Sequence, residues 1–380
     1  MKPWTCWHRI AIRRPCRAER SRRRVRAAAV AILATAAIGA SRADPADDSL
    51  RTFAAAAGQP DPLIRIGFDD DARVRVEAGS GYRIVDPATG RDVWRERYAG
   101  EVVVLPEGAP EGGAGTVIRV QVAAFSTREA AEAERDRLQA SLGVPAVVRY
   151  VADRGSWRVR VGESPSRDGL ASLVAKLRTA GTKGLWIAEE PAREIGGVTL
   201  RLVDAATFET RLVDLDRIAV VPPGSGPVTV DDVPYRGVVE VRVTAYGTVR
   251  AINWVGLENY LLGVVPAELG PEVWPRIEAL KAQAVAARTY AWRNLDQFDD
   301  QGFDQCATPR CQVYKGRNAE HPLSDRAVAA TRGEILTYDG APINAMFTAT
   351  CGGHTEDAGE IFPEETAPYL RGVPCRAESE

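Results

Sequence analysis

Hydrophobic and polar positions alternate along much of this chain, and a helical period takes over where the alternation stops. From Leu63 come short alternating runs, LIRIGF, ARVRVEA, YRIVD and EVVVL, separated by Asp-Asp, Gly-Ser-Gly and Pro-Ala-Thr-Gly punctuation. Period-two runs bounded by turn residues predict strands, so residues 60–106 read as a small β region. Residues 44–60 read as a polar, alanine-rich leader of undecided order, and residues 107–115 (EGAPEGGAG) as a flexible linker.

Residues 117–190 have their own internal order. The alternating VIRVQVAAF meets Ser126, a predicted N-cap, with Glu129 three residues later completing a capping box. A helix follows (TREAAEAERDRLQASLG), stopping at Gly143. AVVRYV and SWRVRVG predict two strands joined by a hairpin-like turn at Ala152-Asp153-Arg154-Gly155. A second helix, Ser166 to Ala180, and the strand GLWIAEE close a β-α-β-β-α-β sequence. Such an order packs two helices on one face of a four-stranded antiparallel sheet.

Residues 198–255 return to β patterning, and Leu257 to Val265 predicts a short helix closed by Pro266. A long helix begins near Trp274-Pro275, with Pro275 acceptable in its first turn. Ile277, Leu280, Ala284, Ala287, Ala291 and Leu295 recur along it at three- and four-residue spacings, which predicts one buried stripe. The tail carries one more helix, SDRAVAATR, and a hairpin turning at Asp339-Gly340. The fold class is therefore α+β, a β-rich domain with a long central helix plus a small βαββαβ domain.

Composition changes this picture at one end. Of 380 residues 45% are hydrophobic and 26% charged, and the formal charge of −2 gives no case for nucleic acid as a partner. Residues 9–26 are strongly basic and run straight into AAAVAILATAAIGA, an apolar run of about 14 residues. That length suits a signal-peptide core better than a membrane span, so residues 1–43 predict an export signal cleaved after Ala43. An uncleaved N-terminal anchor is the alternative. The chain is then periplasmic or cell-wall associated. Cleavage removes Cys6 and Cys16 and leaves Cys306, Cys311, Cys351 and Cys375, which in an oxidising compartment permit two disulfides in three pairings.

The first chemical constellation is Pro266-Ala267-Glu268. Glu268 follows the apolar run LLGVV and precedes Pro271, Trp274 and Pro275. Desolvation there disfavours the ionised carboxylate and suits a proton donor near neutral pH. Hydrolysis of a glycosidic bond usually takes two carboxylates. A lytic transglycosylase needs one, because the muramyl 6-hydroxyl itself closes on the anomeric carbon. Read in isolation, a glutamate such as Glu268 is more often a helix-start or surface residue than a catalytic one. On the helix behind it Lys281 and Arg288 stand seven apart and so on similar faces. With Gln283, Arg276, Tyr290 and Trp292 they are candidates to contact a sugar, against the plainer reading of a solvated face and aromatic packing. Tyr260 reads as packing.

The second constellation is Cys306-Ala-Thr-Pro-Arg-Cys311 followed by QVYKG, and the third is Cys351-Gly-Gly-His354. Cys306 and Cys311 either bridge a Pro-containing loop or supply half of a zinc tetrahedron. Cysteine–histidine catalysis is a third option for Cys351 and His354, disfavoured by oxidation. His321 is a weak nitrogen ligand.

Residues 196–375 resemble the catalytic domain of the SpoIID/LytB family, the stage II sporulation protein D and amidase-enhancer family. The resemblance rests on YRGVVEVR, LENYLLGVVPAEL, WPRIEALKAQAVAARTYA, CQVYKG, ATRGEILTYDG and CGGHTEDAG. Residues 60–106 resemble the family's N-terminal β part. Residues 117–190 resemble a SPOR domain, chiefly in VQVAAFSTREAAEAERDRL and SWRVRVG, inserted into the family domain. The resemblance implies a lytic transglycosylase acting on denuded peptidoglycan glycan strands, with Glu268 as acid and a SPOR module binding the same strands. It also implies the alternative of a noncatalytic glycan-binding protein or an activator of a cell-wall amidase. Lys281, Gln283, Arg288, Tyr290, Tyr314 and His354 are the residues expected along the substrate. No cofactor is expected beyond a structural zinc at Cys306 and Cys311, and zinc-type relatives have a histidine where Arg310 stands here.

Overall fold

A computed structural model describes residues 45–60, 62–108, 116–151, 156–182, 184–191, 197–244, 246–348, 351–362 and 366–375. The leader 1–43 with Cys6 and Cys16, most of the 107–115 linker and the turn 152–155 lie outside the described residues.

Seven helices stand among the described residues: α1 Pro45–Ala56, α2 Arg128–Leu142, α3 Ala171–Thr179, α4 Leu257–Glu268, α5 Ile277–Arg293, α6 Pro322–Ala330 and α7 Ala358–Ile361. None is long and apolar enough to cross a membrane. Two six-stranded sheets form the main body. One orders its strands Gln305–Cys306, Leu63–Gly67, Val249–Gly256, Val238–Val243, Arg217–Val221 and Arg83–Val85. The other runs Thr210–Val213, Thr199–Asp204, Val102–Glu107, Val74–Glu77, Val228–Val230 and Val233–Tyr235. Alternation sets which faces meet. Val74, Val76, Val102, Val104, Leu200 and Leu202 turn inward against Ile64, Ile66, Val239 and Val241, and α4, α5 and α6 add Leu261, Val264, Leu280, Ala284 and Val328 to the same core. The α+β class of the sequence reading is the class observed.

The small domain is a four-stranded antiparallel sheet ordered Ala146–Val151, Ser156–Ser164, Thr116–Phe125 and Trp186–Pro191, with α2 and α3 packed on it. Its attachment is legible in the register. The chain leaves the second large sheet at Glu107 and returns at Thr199, and these two are antiparallel partners. The small domain itself begins at Thr116 and ends at Pro191, again partners. A whole domain therefore sits where a hairpin loop would, a position that tolerates insertion because the ends already lie side by side. Trp157 of the small domain stacks on Phe298, ring centroids 5.3 Å apart, and Phe298 stacks in turn on Phe303.

One local reading left undecided is settled and four are corrected. Residues 45–56 form α1, because Leu50, Ala54 and Ala57 make a buried stripe and Arg51 lies over the Trp254 ring. Thr127, not Ser126, is the N-cap of α2 and accepts from the Ala130 N–H. The second small-domain helix is a 3₁₀ turn, Asp168–Leu170, leading into α3. Finally, α4 runs past Pro266 to Glu268. Proline removes one donor near the end of a helix, but Val264 and Val265 are fully buried and the Leu269 N–H still reaches the Val265 carbonyl at 2.9 Å. α5 in turn starts at Ile277 with Arg276 at its N-cap. The Asp339-Gly340 turn has φ of 50° and 83°, the doubly positive pair of a type I′ hairpin between Thr337–Tyr338 and Ala341–Pro342.

Candidate functional site

The site is assembled where the end of α4 meets the segment following Cys311. Gly263 makes that approach possible. A Cβ there would stand 2.7 Å from the Tyr314 ring and 2.9 Å from the Gly316 carbonyl oxygen, so any larger residue would push the two elements apart. Tyr314 is buried in tilted ring contact with Tyr235 and Tyr260, and its hydroxyl donates to Asn253 Oδ1 at 3.1 Å. The Tyr260 hydroxyl donates to Gln312 Oε1 at 3.3 Å. The segment 312–314 is thus held from beneath by two tyrosines. Its middle residue, Val313, is left to direct its backbone N–H at Glu268 Oε1, 2.7 Å away.

Glu268 is half-buried, and among the described residues no lysine or arginine pairs with it. Burial raises its pKa above the ordinary glutamate value, with the Val313 hydrogen bond pulling the other way. Tyr290, on α5, has its pKa pushed up to about 12 by burial first and by the charge of Glu268 second. Tyr260 is raised well above the ordinary tyrosine value by burial, then by Tyr314, Tyr290 and Glu268. One carboxyl and two phenol hydroxyls therefore share a partly dry environment, and both phenols keep their protons at neutral pH. Chemically this is a carboxyl biased by burial toward its protonated form, without a counter-cation among the described residues.

The other sequence candidates separate clearly. Gln283 lies one heptad before Tyr290 on α5 and is buried, its Nε2 without a hydrogen-bond partner among the described residues. Lys281 is a surface residue paired with Glu278 at 2.8 Å. Arg288 does not face a substrate. It is buried, its Nε and Nη2 bind Glu258 at 2.9 and 2.8 Å, and its other donors reach the carbonyls of Ala284, Val328 and Glu334. The guanidinium ties α4 to α5 and α6, so its expected role as a sugar contact is replaced by a structural one. Tyr314 is likewise interior. His354 is exposed, its Nδ1 2.7 Å from the Thr355 carbonyl oxygen, and no hydrogen bond links it to Glu268. The residues missed by side-chain reasoning are Gln312, passed over beside the cysteine pair, and Val313, which acts through its backbone.

Cys306 and Cys311 are joined in a disulfide with Cα atoms 5.5 Å apart. A bonded pair offers no thiolates, Arg310 ion-pairs toward Asp69 at 3.7 Å, and among the described residues no three His, Cys, Asp or Glu side chains converge as metal ligands. A zinc centre at this pair does not fit. Cys375 is buried and disulfide-bonded as well.

On the small domain, one row of register partners crosses all four strands: Val147, Arg160, Gln121 and Trp186. Trp186 is 66% exposed, while Val159 and Val161 on the opposite face are fully buried against α2 and α3.

Residues 245–338 match the family model SpoIID, described as stage II sporulation protein, and residues 114–187 match the SPOR domain. The chain carries a SpoIID domain and a SPOR domain. The SpoIID match contains Glu268, Tyr290, Gln312 and Val313, and also the Arg288–Glu258 pair, but not His354, Cys351 or Cys375. The stage II sporulation protein D of Bacillus amyloliquefaciens is 36% identical over 149 residues, covering 35% of this chain and 42% of that protein. The amidase enhancer of Bacillus subtilis is 38% identical over 110 residues, covering 29% of this chain and 14% of that one. The chain spans less than half the length of the curated relatives it matches. Among solved structures, the peptidoglycan binding domain of the B. subtilis cell wall lytic enzyme CwlC matches at 24% identity and a TM-score of 0.18, over 20% of this chain and 91% of that one.

Proposed function

We propose that this protein is a peptidoglycan lytic transglycosylase acting on glycan strands stripped of stem peptides, with Glu268 as its acid and the SPOR domain holding the same strands. The observation that carries this reading is the state of the Glu268 carboxyl: half-buried, without a cation, raised in pKa, and fixed by one backbone amide. A carboxylic acid of that kind holds its proton in the pH range where an exposed glutamate has lost it. It protonates the oxygen bridging two sugars, and the C1–O bond breaks. The muramyl 6-hydroxyl then closes on C1, giving its own proton to the Glu268 carboxylate. The acid is regenerated, no water is consumed, and the product ends in a 1,6-anhydro ring.

The SPOR row Arg160–Gln121–Trp186 offers an exposed aromatic face beside polar groups, a combination that suits sugar rings. Linking it to the SpoIID domain raises the effective concentration of strand at Glu268, provided both sites reach one polymer. The basic and apolar leader supports export, to the periplasm or wall; N-terminal sequencing of the protein recovered from cells distinguishes cleavage after Ala43 from an uncleaved anchor.

Incubation of residues 44–380 with denuded strands, followed by mass analysis, tests the reading. Wild type releases anhydro-muramyl ends and Glu268→Gln does not. Equal release by both, or none from wild type, overturns it. A second reading, activation of a cell-wall amidase without strand cleavage, is favoured by the likeness to the amidase enhancer. It requires that Glu268→Gln stimulate an amidase as well as wild type does.

A further inference from the structure

A side chain finds its direction through its rotamers, whereas a backbone N–H is aimed only by the segment that carries it. Val313 is the group that touches Glu268, so whatever fixes residues 306–314 fixes the acid. On one side the segment is fastened by Tyr260 to Gln312, by Tyr314 to Asn253 and by the Lys315 N–H to the Gly263 carbonyl. On the other side the fastening is covalent. Gln305–Cys306 is a two-residue strand running parallel to Leu63–Gly67, and the Ala307 N–H continues that pairing onto the Gly67 carbonyl at 3.2 Å. Cys306 is bonded to Cys311, and its N–H also donates to Cys311 Sγ at 3.0 Å. Inside this ring the Cys311 N–H reaches the Thr308 carbonyl, and just beyond it the Tyr314 N–H reaches the Ala307 carbonyl, each at 3.0 Å.

We propose that the Cys306–Cys311 disulfide is a positioning element for Glu268, clamping the turn that aims the Val313 N–H at Oε1. The proposal rests on the reading of Glu268 as the acid. Its logic is geometric. The disulfide joins the edge of a six-stranded sheet to the residue two positions before Val313, so the amide inherits the rigidity of the sheet. With Oε1 engaged by Val313, the proton of the neutral acid resides on Oε2, the oxygen left to meet the bridging atom of a substrate. Without the clamp, residues 307–313 keep only single hydrogen bonds on that side, and the amide wanders. Displacement of an acid by as little as an ångström is expensive in rate.

The test uses residues 44–380 labelled with ¹⁵N only at valine. The Val313 resonance is identified by its loss in Val313→Ala. In wild type it shifts with pH as Glu268 ionises, and this titration disappears in Glu268→Gln. In the Cys306→Ser/Cys311→Ser double variant the Val313 response falls to less than about half, while kcat on denuded strands drops about tenfold with KM held within about twofold. An unchanged Val313 titration in a folded double variant overturns the proposal. Should the double variant not fold, the same titration is made on reduced wild type at low temperature, with oxidised Cys375→Ser, which keeps the Cys306–Cys311 bond, controlling for the bond of Cys375. The resonance needs no turnover. A Val313 amide that follows Glu268 only when the disulfide is intact, in a protein that releases no anhydro ends, sinks the transglycosylase reading and leaves the clamp standing. Full activity with a Val313 amide indifferent to the disulfide does the reverse.

Discussion

Helix α4 carries two glutamates ten residues apart with opposite surroundings. Glu258, in the first turn, receives two hydrogen bonds from the buried Arg288 guanidinium and a third from the Gly333 N–H at 3.1 Å. Glu268, at the last residue, receives one backbone amide and, among the described residues, no cation. Both are acidic positions on one amphipathic segment, and composition cannot rank them. The difference lies in what the rest of the chain returns to each. A carboxylate held by a guanidinium ties α4 to α5 and serves the architecture. A half-buried carboxyl met by one backbone amide, its pKa raised by burial, is biased toward holding a proton and so can serve chemistry.

The strongest way to sharpen this contrast is to neutralise each glutamate in turn. Glu268→Gln should lower release of anhydro ends by about 10²–10⁴-fold, the usual weight of a general acid, with no loss of melting temperature. Arg288→Met should instead destabilise the fold by about 3–5 kcal/mol, because it leaves the half-buried Glu258 carboxylate without its partner and three carbonyls without their donor. Chemical denaturation measures this. Arg288→Lys should rescue little, since an ammonium cannot reproduce the paired geometry. If Glu268→Gln proves the destabilising change and Arg288→Met the inactivating one, the assignment of roles is inverted.

A pH experiment probes the same contrast through linkage. The folded-state pKa of Glu268 is raised, so between the unfolded value, about 4.3, and the higher folded value the folded chain holds more protons than the unfolded one. Stability therefore falls as pH rises through that window. The glutamine variant lacks this loss. The melting temperature of Glu268→Gln relative to wild type should thus increase from about pH 4 toward neutrality. A constant difference across that range would mean that Glu268 ionises as freely folded as unfolded.

How much of this was legible beforehand follows the same division. The α5 stripe, the Asp339-Gly340 turn and the alternating strands rest on local periodicity, and local periodicity survives folding. Helix α1 was missed because its alanines carry too little polar contrast to show a face. The α4 end was misplaced because proline is a local stop signal that buried Val264 and Val265 override. Arg288 was read as a surface partner of Lys281 because sequence spacing shows a shared face, but not that Glu258 returns beside it from thirty positions away. Val313 left no trace at all. Its contribution is a backbone amide, which every residue except proline possesses.

The smallest effect is expected at Lys281, two turns before Arg288 on α5. Its pair with Glu278 is exposed, three residues apart and open to solvent, the kind of contact worth about 0.2–1 kcal/mol at most. Lys281→Ala should therefore barely move the melting temperature, in contrast with Arg288→Met on the same helix. The informative quantity is KM. An ammonium that is free to exchange Glu278 for a carboxylate or acetamido oxygen of a strand would show its loss there, while kcat stays unchanged because Glu268 is untouched. An unchanged KM would confine recognition within the SpoIID domain to the surroundings of Glu268 and Tyr290, with the SPOR domain left to hold the rest of the polymer. A large rise would extend the substrate path along the solvent side of α5, and one helix would then carry a structural cation, Arg288, and a recognition cation, Lys281, two turns apart.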